Sequence, residues 1–151
     1  MILLVAENIY KTFYNGSAAV DALNGVSITV PCGEILSIVG PSGCGKTTLL
    51  NIIAGIELPT SGAVTISKME QIGYVPQRDL LLPWRTVLQN ITLGLEISSQ
   101  VSTGDIRGIY EATKRHGIEK FLDTYPDVLS GGMRQLVSFI RTLVIEPRLF
   151  L

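Results

Sequence analysis

The sequence has neither a long apolar run nor an excess of charge of one sign. Its longest apolar stretches, such as ILSIV and LLNIIAGI, fall far short of the roughly 18 residues that cross a bilayer. Its first residues also lack the charged segment and the cleavage site of a signal peptide. The 12 basic and 13 acidic residues give a net charge of -1, which offers no electrostatic footprint for nucleic acid or for an anionic membrane. These absences predict a cytoplasmic protein without a nucleic-acid partner.

Cysteine is scarce as well, which excludes two common ways of stabilising a small fold. Cys32 and Cys44 are the only two cysteines, and they make neither a disulfide framework nor a metal-binding spacing. What is present is the composition of a folded domain. The 151 residues are 46% hydrophobic and 17% charged, which is enough for one domain with an apolar core.

The order of apolar runs and turn residues predicts strands at both ends of the chain and helices between them. Residues 1–30 alternate apolar runs with turns, a pattern typical of short antiparallel strands. The run EILSIVG predicts a buried strand that leads through a glycine-rich loop into the helix KTTLLNIIAGIE. AVTIS and QIGYVP predict further strands, and the pattern from Trp84 to Pro126 is helical, with loops at SSQVSTGD and KRHG. MRQLVSFIRTLVIE predicts a last helix that Pro147 terminates, before RLFL opens another strand.

The loop GPSGCGKTT carries the clearest chemical signal. It fits the pattern G-x-x-x-x-G-K-S/T and stands between a predicted strand and a predicted helix, as a phosphate-binding loop does. Glycines let backbone N–H groups wrap a phosphate, Lys46 reaches the β- and γ-phosphates, and the Thr47 hydroxyl binds Mg²⁺. The residues predicted to bind the nucleotide here are Gly40, Ser42, Gly43, Cys44, Gly45, Lys46, Thr47 and Thr48. The alternative is a glycine-rich turn beside an ordinary surface lysine.

A second glycine pair narrows the choice among the many proteins that have a phosphate loop. LSGGMRQ places Ser130, Gly131 and Gly132 just before a helix, which is a second N-terminus able to receive an anion. Taken alone, this motif is an ordinary helix N-cap after a glycine turn. Taken together, GPSGCGKTT followed by LSGGMRQ resembles the nucleotide-binding subunit of an ABC transporter.

The resemblance implies a head-to-tail dimer with a second ATP-binding subunit, and ATP and Mg²⁺ as cofactors. In this family the signature of one subunit closes on the γ-phosphate of ATP held by the phosphate loop of the other. The residues that match the signature contacts are Ser130, Gly131, Gly132 and Gln135. Gln77, at the end of the predicted strand QIGYVP, matches the family glutamine that contacts Mg²⁺ and the attacking water. The resemblance therefore implies catalytic roles for Lys46 and Gln77.

The segment YKTF near the N-terminus resembles the family segment whose aromatic residue stacks on adenine. Phe13 is the first candidate for this role and Tyr14 is the second. Stacking of this kind contributes about 1–3 kcal/mol per base. Simple packing of the aromatic ring within the strand is an equally open alternative.

The stretch DLLLPWRTVLQNI resembles importers of nitrate, taurine and aliphatic sulfonates. In the family this region faces the coupling helix of the permease, so Leu81, Leu82 and Trp84 are expected to be partly exposed until that partner binds. The resemblance implies transmembrane permease subunits as partners, which hold the chain at the inner face of the cell membrane. A soluble ABC ATPase of translation or DNA repair fits less well, because basic patches are absent.

The resemblance covers essentially the whole chain and implies an α/β fold. The expected architecture is a P-loop NTPase (RecA-like) core with an N-terminal antiparallel β subdomain and an α-helical insertion. Residues 1–77 are expected to form the β subdomain and the phosphate-loop core, and residues 78–134 the helical subdomain with the signature. Residues 135–151 are expected to form a helix and the start of the Walker B strand, with the C-terminal strands of the fold missing.

The final run, EPRLFL, resembles the opening of that Walker B strand. In the family it leads to an aspartate that binds Mg²⁺, a glutamate that polarises the attacking water and, later, a switch histidine, and the chain is expected to be truncated before all three. His116 precedes the signature and is explained as a solvated helix end. Hydrolysis is therefore expected only when the missing groups are supplied. The alternative is a remnant that binds nucleotide or permease without turnover.

Three residues after the signature depart from the family pattern LSGGMRQRVAIARAL. Leu136 replaces an arginine, and Ile140 and Thr142 are bulkier than the small residues that pack there in the family. These differences predict altered packing of the last helix.

Overall fold

The computed structural model describes residues 1–16, 18–67, 72–98 and 103–151, with only the backbone for residues 103–105. The chain divides into two compact units, Met1–Glu70 and Gln71–Leu151. Gln71 of the predicted strand QIGYVP and residues 99–102 of the predicted loop SSQVSTGD lie outside the described residues. Within the described ranges, none of the helices combines the length and the apolar composition that crossing a bilayer requires.

A long antiparallel hairpin forms the frame of the first unit. β1 (Ile2–Asn15) pairs with β2 (Ala18–Pro31) on one edge and with β3 (Ser61–Ile66) on the other, both antiparallel. The strand order is β2-β1-β3. The buried apolar residues of this unit are Leu4, Ala6, Ile9, Leu23, Val30, Leu49, Ile52 and Ile53. The predicted antiparallel β subdomain is confirmed, with two 14-residue strands in place of several short ones.

One helix of the first unit, α1 (Lys46–Ile53), begins directly after the glycine-rich loop. Leu49, Ile52 and Ile53 are buried, and Leu50 is half-buried. The N-terminus of α1 contacts β2, because a Cβ placed on Gly45 would lie 2.9 Å from Cδ2 of Leu23. The loop and the start of α1 are therefore held against the hairpin.

The apolar run of residues 34–40 does not form the predicted strand. Ile35 is 96% exposed and Val39 is 91% exposed, and among the described residues none pairs with this run in a ladder. A strand of a parallel sheet is held by hydrogen bonds to neighbouring strands and is buried by helices on both faces. An apolar pattern shows that a segment suits such a site but does not supply the neighbours. The prediction of a regular strand here is wrong for this structure.

Among the described residues of the second unit, four helices surround one apolar core. They are α2 (Val87–Ile91), α3 (Leu93–Ile97), α4 (Thr103–Arg115) and α5 (Gly131–Leu143), and two short 3₁₀ turns lie between α4 and α5 at Glu119–Phe121 and Pro126–Val128. The core consists of Val87, Ile91, Leu95, Ile109, Ile118, Leu122, Leu129, Val137 and Ile140. α2 begins at a capping box in which the side chain of Thr86 accepts from the backbone N–H of Gln89.

The predicted helical segment IEKFLDTYP contains the first of these 3₁₀ turns and only the first residue of the second. The backbone of Tyr125 is extended, with φ -88° and ψ 158°, because a residue that precedes proline is excluded from the helical region. Gly117 has a φ of +68°, which ends the preceding helix. Gly117 and Tyr125 therefore leave too few residues between them for a longer helix.

Two short strands, β4 (Ile72–Gly73) and β5 (Leu149–Phe150), pair in parallel in the second unit. α5 packs beside them: a Cβ on Gly73 would lie 2.7 Å from Cγ2 of Thr142. Gly73 thus leaves the space that the larger threonine needs. Ile140 lies in the apolar core with 2% exposure. α5 runs unbroken from Gly131 to Leu143 with both bulkier residues, and Thr142 fits beside Gly73.

Candidate nucleotide-binding site

The glycine-rich loop before α1 takes backbone conformations that only glycine adopts easily. Gly43 has a φ of +79° and Gly45 has a φ of +92° at the N-cap of α1. A Cβ on Gly45 would also lie 2.3 Å from the carbonyl oxygen of Ala22. Both the φ value and the close approach require glycine at this position. The loop therefore has the backbone shape that a wrapped phosphate needs.

The side chain of Lys46 folds back over the loop. Its Nζ donates to the carbonyl oxygens of Gly40 and Pro41, both at 2.7 Å, and lies 3.5 Å from Sγ of Cys44. These partners are neutral, and an anionic oxygen adds a charge–charge attraction to the ammonium that a carbonyl lacks. Phosphate oxygens can therefore compete with the two carbonyls for Nζ of Lys46.

The electrostatics around the start of α1 favour an anion. The first turn of α1 has no acidic residue, and a helix N-terminus carries about half a positive charge. Ser42 and Thr47 are exposed and Thr48 is half-buried. The hydroxyl groups of Ser42 and Thr47 are thus accessible to a ligand or to a cation that the ligand carries.

Phe13 lies on the face of the hairpin that holds the phosphate loop. Phe13 is 42% exposed, and the centroid of its ring lies 4.8 Å from Nζ of Lys11. Lys11 is the cross-strand partner of Leu23, the residue that contacts the start of α1, and directly paired residues share a face. Tyr14 is the next residue along the strand, so its side chain points to the opposite face. The geometry favours Phe13 over Tyr14 as a partner of a nucleotide base.

The signature residues lie at the N-terminus of α5. Ser130 is the N-cap, and its Oγ accepts from the backbone N–H of Met133 at 3.3 Å. A Cβ on Gly132 would have nothing within 4 Å, and a Cβ on Gly131 would meet only the guanidinium of Arg134, at 4.0 Å. Glycine costs about 1 kcal/mol relative to alanine inside a helix. Packing within the described residues therefore gives no reason for this glycine pair, which leaves the helix N-terminus bare.

Gln77 is exposed and follows β4 in the second unit. Its carbonyl oxygen accepts a 2.9 Å hydrogen bond from Nε2 of Gln135 on α5. Two residues predicted from separate motifs are therefore in direct contact.

Two arginines on α5 hold the residues that follow Gln77. Arg134 donates from Nε to Oδ2 of Asp79 at 3.1 Å. Arg141 donates to the carbonyl oxygens of Asp79 and Leu80 at 2.9 and 3.0 Å. Burial lowers the pKa of the Arg141 guanidinium from its usual value, while the charge of Asp79 acts in the opposite direction. Arginine keeps its charge under such shifts, so these contacts persist at neutral pH.

No sequence pattern predicted the roles of Asp79, Arg134 or Arg141. The spacing of the two arginines could have indicated that they share a role, since residues seven apart lie on one face of a helix. Their partners lie 55 to 62 residues away in the chain, which no local pattern reveals.

Residues 23–151 match the sequence profile of the ABC transporter family. The chain belongs to this family. An uncharacterized ABC transporter ATP-binding protein of Methanocaldococcus jannaschii, MJ0412, is 42% identical over 156 residues, which cover 99% of this chain and 58% of the relative. A probable sulfate/thiosulfate import ATP-binding protein, CysA, of Chlorella vulgaris is 37% identical and covers 98% of this chain and 65% of the relative. This ABC transporter chain thus spans 58% and 65% of the lengths of those two proteins.

A solved structure supports the same assignment at the level of fold. The dimeric structure of a post-hydrolysis state of the ATP-binding cassette MJ0796, bound to ADP and Pi, matches with a TM-score of 0.85 at 32% identity. The match covers 96% of this chain and 71% of that chain. The predicted ABC-type P-loop NTPase fold is confirmed.

The names of further relatives do not single out one substrate. They include import ATP-binding proteins for sn-glycerol-3-phosphate in Rhizobium meliloti and for spermidine/putrescine in Nitrosospira multiformis, and a bicarbonate transport ATP-binding protein in Synechocystis. The resemblance to importers of nitrate, taurine and aliphatic sulfonates is therefore not supported as a specific class.

A buried asparagine organises the loop between Gln77 and α2 of this ABC transporter chain. Asn90 is 0% exposed. Its Oδ1 accepts from the backbone N–H of Leu82 at 2.8 Å, and its Nδ2 donates to the carbonyl oxygens of Leu82, Arg85 and Thr86 at 3.0 to 3.1 Å. One side chain thus fixes a whole turn, a role that the sequence analysis missed.

The same turn presents an exposed aromatic ring. Trp84 is 70% exposed and Leu80 is 60% exposed. Leu81 and Leu82 are half-buried, and Leu81 packs against the apolar core of the second unit. The exposed apolar surface in this region therefore consists mainly of Trp84 and Leu80.

Proposed function

We propose that this chain is the ATP-binding part of the subunit that energises an ABC-type membrane transporter. The observation that carries the proposal is the phosphate loop, in which the ammonium of Lys46 rests on two carbonyl oxygens beside two left-handed glycines. The β- and γ-phosphates of ATP replace those carbonyls as acceptors, because their oxygens are charged. The N-terminus of α1 binds the same anion.

The adenine base stacks on Phe13 in this proposal. The exposed ring and its place on the face that carries the phosphate loop support that role. An aromatic platform binds any purine by stacking. The phosphates and the base are thus held by different parts of the first unit.

The signature binds the γ-phosphate of an ATP molecule that a second ATP-binding subunit holds. Ser130, Gly131, Gly132 and Gln135 lie at the start of α5, and the two glycines leave its N–H groups open to a close ligand. The related cassette MJ0796 was solved as a dimer bound to ADP and Pi, which supports a dimer for this chain. In this proposal the two subunits pair head to tail.

Mg²⁺ fits this chain as an ion that is bound mainly through the nucleotide. Within the described residues no group of three His, Cys, Asp or Glu side chains is placed to hold a metal. Thr47 and Gln77 are exposed and carry oxygen donors, and Mg²⁺ at nucleotide sites takes few protein ligands, with phosphates and waters completing its shell. When bound, the ion neutralises charge on the phosphates. Gln77 also orients the attacking water, from a position that Gln135 helps to set.

The transporter is an importer whose permease contacts the loop that carries Trp84. The exposure of Trp84 and Leu80 in the loop before α2 supports this contact, because a partner would bury their apolar surface. Relatives named as import ATP-binding proteins support this direction of transport. Contact with the permease holds the subunit at the inner face of the cell membrane.

The proposal is tested by equilibrium binding of Mg-ATP, measured by isothermal titration calorimetry. Lys46→Ala removes the charge-assisted bonds to phosphate and is expected to raise Kd about 10- to 100-fold. Lys114→Ala, which changes an exposed lysine in the last turn of α4, is the matched control and is expected to leave Kd unchanged. Equal Kd values for all three proteins, or no saturable binding, would contradict the proposal.

Turnover is measured on the same samples as released phosphate. Hydrolysis that Lys46→Ala abolishes supports an ATPase whose groups for activating water are complete. Saturable binding without phosphate release supports the second role, nucleotide binding in which a further group has to activate the water.

A further inference from the structure

Lys11 is an unusually buried lysine in the first unit. Its side chain is only 12% exposed, and lysine is rarely buried without partners. Nζ donates to Oε1 of Glu57 at 2.5 Å and to the carbonyl oxygen of Leu58 at 2.8 Å, and it lies 4.8 Å from the centroid of the Phe13 ring. Two of the three donors of the ammonium therefore have hydrogen-bond acceptors, and the aromatic ring is the third group near it. The ring of Phe13 is thus one of three groups that the lysine holds.

These contacts connect the aromatic ring to the helix that carries the phosphate loop. Glu57 and Leu58 follow α1, and the backbone N–H of Glu57 donates to the carbonyl of Asn51 within α1. At its other end, α1 is pressed against β2 through Gly45. The helix is therefore attached to the hairpin at both ends. Its C-terminal attachment runs through the same ammonium that contacts the Phe13 ring.

We propose that Lys11 is the positioning residue of the adenine site: its ammonium covers one face of the Phe13 ring and orients the other face toward the base. This inference rests on the proposed function of Phe13. A cation near an aromatic face is attracted by the ring quadrupole and draws electron density toward itself. The ring then stacks more strongly on an electron-rich purine at its opposite face. Lys11 thereby strengthens binding of the base.

A purely structural role for Lys11 predicts a different result. If the lysine only attaches α1 to the hairpin, its loss disturbs the phosphate loop, and ligands with and without a base weaken together. If it positions the Phe13 ring, only ligands with a base weaken. Inorganic triphosphate has the phosphates of ATP and no base, so the ratio of the two affinities separates the alternatives.

The test compares Kd for ATP and for inorganic triphosphate, measured with Mg²⁺ by calorimetry. Lys11→Met keeps the apolar stem and removes the charge, and it is expected to weaken ATP about three- to tenfold while triphosphate changes less than about twofold. Lys11→Arg retains a cation over the ring and is expected to restore the ratio. Lys120→Met is the matched control, because Lys120 lies 5.2 Å from the Phe121 ring in the second unit and has no assigned role.

Equal weakening of ATP and triphosphate by Lys11→Met, or no weakening of ATP, would overturn the inference. Should Lys11→Met fail to fold, as judged by thermal unfolding, Lys11→Gln keeps a donor for Glu57 and Leu58 and carries the same expectation. Phe13→Leu separates this inference from the proposed function. If Phe13→Leu lowers the ratio of the affinity for ATP to the affinity for triphosphate while Lys11→Met and Lys11→Gln leave it unchanged, only the role of Lys11 is wrong. If Phe13→Leu has no effect on the ratio, the adenine assignment itself fails, and the inference fails with it.

Discussion

The side-chain amide of Gln135 donates a 2.9 Å hydrogen bond to the main-chain carbonyl of Gln77, 58 residues earlier in the chain. Gln135 belongs to the signature helix α5, and Gln77 belongs to the segment that follows β4. Arg141 holds the continuation of that segment by two further bonds to main-chain carbonyls. The position of Gln77 therefore depends on α5, so that a displacement of the signature helix also displaces the glutamine.

Arg141→Met is expected to lower the free energy of unfolding by about 1–2 kcal/mol, because the carbonyls of Asp79 and Leu80 lose charged donors while the apolar stem is kept. The measurement is urea unfolding, together with hydrogen exchange at residues 79–81, which is expected to accelerate. Arg115→Met, which changes an exposed arginine in the last turn of α4, serves as the control. An equal loss of stability in both variants would show that the hydrogen bonds from Arg141 to residues 79 and 80 do not stabilise the fold.

Gly132→Ala is expected to separate stability from function. A Cβ at this position meets nothing within 4 Å, so stability is expected to stay equal or to rise by up to about 1 kcal/mol. ATP-dependent self-association, measured by sedimentation, is expected to be lost because the methyl group blocks the approach of a phosphate. Gly108→Ala is the matched control, since it lies in α4 and also has nothing within 4 Å. Normal association of Gly132→Ala would contradict the proposed role of the signature.

Gly45→Ala and Gly43→Ala are expected to differ in stability although both glycines have positive φ values. The Cβ of Gly43→Ala would meet no atom within 4 Å. This variant is therefore expected to lose about 1–2 kcal/mol of folding free energy, from backbone strain alone. Gly45→Ala adds a 2.3 Å approach to the Ala22 carbonyl and is expected to cost about 3 kcal/mol or more. Thermal unfolding of the two variants provides the comparison. Equal losses would mean that the contact of the loop with β2 relaxes at no cost.

The ion pair of Arg85 and Glu96 is expected to make stability fall at acid pH. The hydrogen bond from Arg85, at 2.6 Å, is the main cause that lowers the pKa of Glu96 below its ordinary value of 4.5, and Thr92 contributes a second bond. Because the folded-state pKa is the lower one, this stability is present above about pH 4.5 and is lost as the pH falls through the folded-state pKa. Both groups are partly exposed, so the effect is expected to be at most about 0.5 kcal/mol.

The measurement is the difference in unfolding temperature between the unaltered chain and Glu96→Gln from pH 7 to pH 3. The difference is expected to shrink toward low pH. Glu111→Gln, an exposed residue of α4, controls for general effects of charge. A difference that stays constant across this range would exclude the ion pair as the cause.

Local patterns predicted the parts of the chain whose structure depends on neighbours in sequence. The antiparallel hairpin, the helix after the phosphate loop and the helix after the signature are present. The strand predicted at residues 34–40 is not, because a strand of this kind needs partners that a local pattern cannot supply. Asn90 and Arg141 were missed for a related reason, since polar residues acquire their roles from contacts that form only on folding.

The sequence by itself determined the ABC transporter family, the loop from Gly40 to Thr48 and the signature from Leu129 to Gln135, because their chemistry depends on residue types at fixed short spacings. Tertiary structure alone decided that the ammonium of Lys11 bonds Glu57 and that Gln135 holds Gln77. Those relationships arise from the packing of α1 on a hairpin and of α5 beside a loop. Residues far apart in the chain become neighbours there, and their interaction energies exist only in the folded state.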